Sequence, residues 1–173
     1  MTGRRKGILL GAVQLALVLS LGGKLLYDRE TRPRVWVLAQ VYDPELPIRG
    51  RYLAESLRMP VEGFTYTEPQ KNTPYWQLNR EWAYLEIENN QLIAKRVGNG
   101  PGQWVGLRKN NDGTISALSE EPVLVFVPEH FEAPTLKSGQ ELWVEVTVPA
   151  KGPPRPIRIG IKKDGAITPL SFN

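Results

Sequence analysis

The sequence predicts an all-β domain, a small antiparallel barrel or sandwich, preceded by a single transmembrane helix. Three observations support this prediction. An uncharged apolar segment near the N-terminus is long enough to cross a bilayer. About nine short strand-like segments come after it, without the 3.6-residue period of long helices. The 15 prolines and 16 glycines are spread along the chain, where they act as turn signals between those segments.

The charge distribution argues against nucleic-acid binding. The net charge is +4, but four basic residues lie in or beside the apolar segment, namely Arg4, Arg5, Lys6 and Lys24. From residue 28 onward, 18 basic side chains balance 18 acidic ones, whereas a nucleic-acid-binding domain carries a basic surplus. The chain has no cysteine, which excludes disulfides, thiolate metal sites and cysteine nucleophiles.

Residues 1–6 form a short basic tail, and residues 7–27 form the predicted membrane anchor. The 20 residues from Ile8 to Tyr27 span about 30 Å as a helix, which matches the hydrocarbon thickness of a bilayer. A cleaved signal peptide is the alternative, although no small-x-small cleavage site follows the apolar core. The basic tail favours an N-terminus on the cytoplasmic side of the cell membrane and a C-terminal domain in the periplasm or outside the cell.

Residues 28–34 are predicted to form a linker and residues 35–173 the β domain. The predicted strands are 35–41, 52–59, 82–88, 92–97, 104–108, 123–127, 142–148, 157–161 and 166–170. Asn89-Asn90, the polar run 110–113 and Asp164-Gly165 supply turn signals between strands. The segment 60–73 is predicted to be a longer loop.

A weak internal repeat relates two parts of this domain. Gly50, Pro60 and Gly63 recur with identical spacing 89 residues later, as Gly139, Pro149 and Gly152. Each unit reads as a turn glycine, a strand and a proline–glycine stop, and a hairpin comes later in each. Two duplicated β-halves would explain the repeat, and so would coincidence in a chain rich in glycine and proline.

Two residue types invite a binding hypothesis. His130 follows Glu129 and is the only histidine, so it has no second imidazole with which to build a metal site. Five tryptophans could stack against sugars or bases. Four of them lie on predicted strands, where packing in the core is the commoner role, and Trp76 is the one predicted to be exposed.

The segment 134–144 resembles the region of type I signal peptidases in which Pro-Thr-Leu and a turn glycine lead into a strand. Those enzymes are also membrane-anchored β proteins, and they use a Ser–Lys dyad. The position of their nucleophile is occupied here by Phe131, which has no hydroxyl group. A degenerate or unusual membrane-anchored hydrolase is therefore the alternative to a non-enzymatic domain.

Two further segments, Gly50-Arg51-Tyr52-Leu53 and Phe126-Val127-Pro128-Glu129, resemble the GDYXXLXY family of bacterial membrane-anchored proteins of unknown function. Gly50 and Tyr52 match the motif, whereas Arg51 replaces its Asp and Glu55 falls at its Leu position. The resemblance implies membrane location, a β architecture and a partner role beside a multi-pass membrane protein. It implies no catalytic activity.

The sequence thus identifies no catalytic residue, cofactor site or metal site. We expect a membrane-anchored binding or assembly module rather than an enzyme. Gly50 and Tyr52 are expected to be structural, with the Tyr52 ring buried. The competing hypothesis makes this turn a recognition edge. The binding candidates are Arg49, Arg51, Tyr52, Trp76, Glu129 and His130.

Overall fold

The computed structural model describes residues 3–41, 52–68, 79–96, 98, 102–128, 135–149 and 152–171. The chain divides into two compact units, Met1–Arg32 and Pro33–Asn173. The described elements are, in chain order, α1 (Gly3–Thr31), β1 (Arg34–Val41), β2 (Tyr52–Glu62), β3 (Arg80–Glu88), β4 (Gln91–Arg96), β5 (Gln103–Lys109), β6 (Ile115–Ser119), β7 (Val123–Phe126), β8 (Glu141–Thr147), β9 (Arg155–Lys163) and β10 (Ala166–Pro169). The predicted combination of one helix and an all-β domain is confirmed.

The N-terminal unit is a single helix whose large apolar side chains are exposed. Its stretch Lys6–Tyr27 is long and apolar enough to cross a membrane. Apolar residues cover all sides of this stretch, which suits lipid contact better than one-sided packing on a core. The helix continues to Thr31, so it includes the first part of the segment that the sequence predicted as a linker.

Five strands of the C-terminal unit close into a barrel in the order β2-β4-β3-β5-β6 and back to β2. The neighbours are antiparallel except for β2 and β4, which pair in parallel at Val61–Ala94 and Glu62–Lys95. Lys95 adds an ion pair across this parallel contact, since its ammonium lies 3.4 Å from a carboxylate oxygen of Glu62, and it also bonds Glu88 of β3.

The remaining strands continue the sheet away from this barrel. The first half of β2 pairs with β1 on one edge and with β7 on the other. Strand β1 then pairs with β8, β8 with β9 and β9 with β10. Strand β7 contacts β9, but no hydrogen-bonded pairing joins these two strands in the described part of the chain. We call this line of contact the β7–β9 seam.

The core consists almost wholly of aliphatic side chains. Inward positions alternate along the strands, as a half-buried sheet requires. The side chains with the lowest exposure include Leu57, Met59, Leu92, Val105, Val144, Val146 and Ile159. Leu57 and Met59 project from β2 into this core, and β2 belongs to both parts of the sheet.

The predicted turns are confirmed where the structure describes them. Asn89 and Asn90 have φ of 48° and 62°, and Asp164 and Gly165 have φ of 50° and 85°. Two successive positive φ values define the tight hairpin turns that favour Asn-Asn and Asp-Gly.

Two strand assignments differ from the prediction. Strand β2 runs past Pro60 to Glu62, although the sequence placed a loop there. Pro60 lies between the last residue of β2 paired with β1 and the first paired with β4, where the missing N–H leaves no ladder bond unmade on that edge. Strand β6 was not predicted, because its sequence Ile-Ser-Ala-Leu-Ser has few large apolar residues.

The internal repeat aligns β2 with β8. Both strands pair antiparallel with β1, from opposite edges, and the glycines that follow them, Gly63 and Gly152, both have positive φ. The strands that come next are placed differently, because β3 is not paired with β2 in the described residues whereas β9 pairs antiparallel with β8. The likeness is confined to one strand and the turn after it.

Candidate functional site: the junction of strands β2 and β7

The described residues of the two sequence segments that carry the family resemblance lie on neighbouring strands. The first residues of β2 pair antiparallel with β7, in the register Tyr52–Phe126, Leu53–Val125, Ala54–Leu124 and Glu55–Val123. The two strands are far apart in the chain, as is usual for non-local sheet pairing. The pairing places one group of residues on the exposed side of the two strands and another group on the buried side.

The outward side of this pairing is an apolar patch. Tyr52, Leu124 and Phe126 are 53%, 53% and 55% exposed, and we call these three residues the β2–β7 patch. The rings of Tyr52 and Phe126 meet edge to face, with centroids 5.8 Å apart. The prediction that the Tyr52 ring is buried is therefore wrong. The ring lies on the outer face because the inward positions of β2 are those of Leu53, Glu55 and Leu57.

The inward side of the pairing holds a carboxylic acid that has no hydrogen-bond partner among the described residues. Glu55 is 0% exposed, and neither of its carboxylate oxygens forms a hydrogen bond within the described part of the chain. In the sheet, it stands between Val41 of β1 and Val123 of β7. Burial raises the pKa of Glu55 from 4.5 to about 7, because removal from water disfavours the charged form.

Sequence reasoning placed Glu55 at the Leu position of the family motif but did not identify it as a site residue. A signal was present in the alternation of β2, since Leu53, Leu57 and Met59 mark one apolar face and Glu55 occupies the same face. A charged residue in that position requires either a partner or neutralisation. Among the described residues, the structure shows no partner.

Most predicted binding residues lie outside the described residues. These are Arg49, Arg51, Trp76, Glu129 and His130, and Gly50 lies outside them as well. Arg51 directly precedes Tyr52 in the chain, and Glu129 comes shortly after Phe126. Tyr52 is thus the one predicted binding residue that the structure describes.

The four described tryptophans are on the outside of the sheet, contrary to the prediction that they pack in the core. Trp104 is 44% exposed, and Trp36, Trp82 and Trp143 are half-buried. Valine, leucine and alanine fill the interior instead. Trp82 and Trp104 are cross-strand neighbours with ring centroids 5.3 Å apart, which covers the outer face of β3 and β5.

Cations already occupy faces of three of these rings. The guanidinium of Arg80 lies 4.6 Å from the ring centroid of Trp104, that of Arg158 lies 5.5 Å from Trp36, and the ammonium of Lys162 lies 4.3 Å from Trp143. Arg80 and Arg158 also form ion pairs, with Glu120 and Glu145. These stacks stabilise the outer face of the sheet. They leave less aromatic surface for a sugar or a base than bare rings would.

The described serines do not form a Ser–Lys dyad. Ser116 and Ser119 are buried and bond Arg58, Asn110 and the Leu57 amide. Within the described ranges, no serine hydroxyl bonds a lysine or histidine, and no group of three potential metal-ligating side chains occurs. Ser138 lies exposed in the turn before β8.

Comparison with known proteins finds no matching family model, no similar curated protein and no similar solved structure.

Proposed function

We propose that this chain is a membrane-anchored, non-enzymatic binding module whose docking surface is the β2–β7 patch. The apolar helix holds it in the cell membrane, with the β domain on the periplasmic or extracellular side. The partner is an extended apolar segment of a neighbouring multi-pass membrane protein. The observation that carries this proposal is the contiguous exposure of Tyr52, Leu124 and Phe126.

An exposed apolar cluster of this kind distinguishes the patch from the rest of the described sheet surface. Single exposed apolar residues are ordinary, whereas adjacent ones mark interaction sites. Three of the four described tryptophans on the sheet are stacked with cations, as Trp104 is with Arg80. Tyr52 and Phe126 contact each other and have no such cover from described residues.

The edge of β7 that contacts β9, without ladder hydrogen bonds to it, supports an extended segment as the partner. In the described part of the chain, β7 has a hydrogen-bonded neighbour on only one edge, which is β2. The backbone N–H and C=O groups on the other edge can accept a strand from another chain. Leu124 and Phe126 would then flank that strand and supply apolar contact. A membrane-protein partner also agrees with the partner role that the family resemblance implies.

Site-specific photo-crosslinking in native membranes tests this proposal. A benzophenone amino acid replaces Phe126 in the full-length chain, and the matched control replaces Tyr84, which is 37% exposed on β3. We expect one discrete crosslinked membrane protein from position 126 and none from position 84. We further expect Tyr52→Ser and Leu124→Ser to abolish the product, and the crosslinked partner peptide to map to an apolar loop segment.

The same experiment can refute the proposal. Equal crosslinking from positions 126 and 84, or a product that survives Tyr52→Ser combined with Leu124→Ser, would show that the patch is not the docking surface. Crosslinks to lipid alone would show that the patch contacts the bilayer. Stoichiometric labelling of Ser138 or Ser56 by a serine-reactive probe would favour the hydrolase instead.

A further inference from the structure

Glu55 is a buried carboxylic acid in the described part of the chain, and the proposed binding function does not use it. Its carboxyl group is fully buried and has no hydrogen-bond partner in the described ranges, and Glu55 pairs with Val123 of β7. An ionised carboxylate in such a position is costly, so the group either stays neutral or gains access to water. Loss of its proton therefore favours movement of whichever neighbouring strand is held least firmly.

The strands around Glu55 are held unequally. Strand β1 is held by two strands, by β8 along Arg34–Leu38 and by β2 along Leu38–Val41. Strand β7 is short, is paired only with β2 among the described strands, and meets β9 across the seam without ladder hydrogen bonds. The smallest opening that brings water to Glu55 is therefore separation of β7 from β2 and β9, which leaves the five-strand barrel intact.

No described charged group is placed to hold the Glu55 carboxylate. Strand β7 contains only Val-Leu-Val-Phe, and the one charged residue of β1, Arg34, pairs with Thr147 at the opposite end of the strand. On β2, Arg58 bonds Ser116 and Asn110. Strand β6 has no charged residue.

The charged residues of the nearby strands β8 and β9 also have other contacts. Arg158 bonds Glu145, and Lys162 lies over Trp143 on the outer face of the sheet. Arg155 and Lys163 are exposed at the two ends of β9, and Glu141 bonds the Trp143 indole.

We propose that Glu55 is a pH-sensitive latch, neutral when β7 is closed against β2 and ionised when β7 is released along the β7–β9 seam. Burial raises the pKa of Glu55 to about 7, so the change falls in the range that a periplasm or cell exterior experiences. Release would separate the second edge of β7 from β9 and displace Leu124 and Phe126 from Tyr52. This release is a property of the fold and needs no partner.

Amide hydrogen exchange on the full-length protein in detergent micelles tests the latch. Protection of Val123–Phe126 is measured at pH 5 and pH 8, corrected for intrinsic exchange and referred to the amides of Val105 and Leu107 in β5. The open state titrates at the ordinary pKa of 4.5 and the closed state at about 7, so we expect β7 protection to fall on the order of ten- to a hundredfold.

Two substitutions separate Glu55 from other causes of the pH effect. Glu55→Gln stays neutral at every pH and should keep β7 protection constant, and Glu55→Leu provides a second variant if Gln impairs folding. Glu121→Gln is the matched control, because Glu121 is exposed and close to the start of β7, and it should behave as the wild type does.

Three results would overturn the latch. These are constant β7 protection in the wild type, an undiminished pH effect in both Glu55 variants, and an equal loss of protection in β5. The last result would mean that ionisation loosens the whole domain and not β7.

Discussion

Glu55 is an ionisable side chain in a fully buried position of strand β2. Its neighbours on the same face of β2, Leu53 and Leu57, are ordinary core residues. Glu55 lies between them, and neither of its carboxylate oxygens bonds another described residue. Burial raises its pKa, so the ionised carboxylate destabilises the folded state more than the protonated group does.

The raised pKa predicts how the stability gained by Glu55→Leu changes with pH. The folded-state pKa of about 7 lies above the unfolded value of 4.5. Ionisation of Glu55 therefore lowers the free energy of unfolding, with no effect below pH 4.5, a growing effect as the pH rises, and a constant effect above pH 7. We expect Glu55→Leu to be more stable than the wild type at pH 8 by about 3 kcal/mol, with a much smaller gain at pH 4.5.

Urea unfolding of the full-length protein in micelles, followed by tryptophan fluorescence, measures this difference. The exposed Glu121→Gln serves as the control and should change stability little at either pH. A gain for Glu55→Leu that is the same at both pH values would contradict the assignment of a shifted carboxyl group.

Tyr52 gives a second prediction at the residue scale. Because its ring is 53% exposed and contacts Phe126 edge to face, Tyr52→Ala should cost only about 1 kcal/mol of folding stability. Leu57→Ala on the same strand removes a side chain that is 0% exposed and should cost about 2–5 kcal/mol. Comparable losses for the two variants in urea unfolding would show that Tyr52 is a core residue after all.

Strand β2 is the element that joins the two parts of the sheet. Its first half pairs with β1 and β7, and its second half with β4 and β6. Strand β6 completes the barrel through the pairs Arg58–Leu118, Met59–Ala117 and Pro60–Ser116. The closed arrangement removes sheet edges that would otherwise be open to other chains.

A buried hydroxyl marks the place where β6 closes the barrel. The Leu57 backbone N–H donates a hydrogen bond of 2.8 Å to Ser119 Oγ. Ser119→Ala leaves that buried N–H without its acceptor and should cost about 1–3 kcal/mol. Ser138→Ala, in an exposed turn, should be neutral within about 0.5 kcal/mol. Denaturation midpoints in urea check both values, and a neutral Ser119→Ala would mean that the amide finds another acceptor.

At the scale of the whole molecule, the helix and the β domain form separate compact units of one chain. The helix is long and apolar enough to span a membrane, and the β domain has its own hydrophobic core. The proposed orientation places the basic tail in the cytoplasm.

The absence of cysteine from the chain allows a direct test of this orientation. Single substitutions Ser138→Cys and Thr2→Cys are treated in intact spheroplasts with a membrane-impermeant maleimide. We expect labelling of Ser138→Cys before permeabilisation and of Thr2→Cys only after it. The reverse pattern would place the β domain in the cytoplasm. Release of the full-length chain by alkaline carbonate would show that the helix does not anchor it.

The sequence by itself determined the features that depend on neighbouring residues in the chain. The uncharged run before Lys24 predicted the helix, and paired turn residues such as Asn89-Asn90 predicted hairpins, because turn conformation depends on local backbone energies. Nine of the ten described strands were located in the same way, with boundaries that shifted where pairing extended them. Strand β6 was not predicted because its own sequence has few large apolar residues, and it is buried only by pairing with β2 and β5.

The tertiary structure decided which distant segments are neighbours and which side chains face inward. The pairing of Tyr52 with Phe126, the outward position of Trp36 and Trp104, and the enclosure of Glu55 all depend on it. A strand pattern fixes two alternating faces but does not state which strand lies alongside, because many registers satisfy the same alternation locally. Only the closed sheet selects among them, since it buries the aliphatic faces together and leaves the tryptophans and the β2–β7 patch outside.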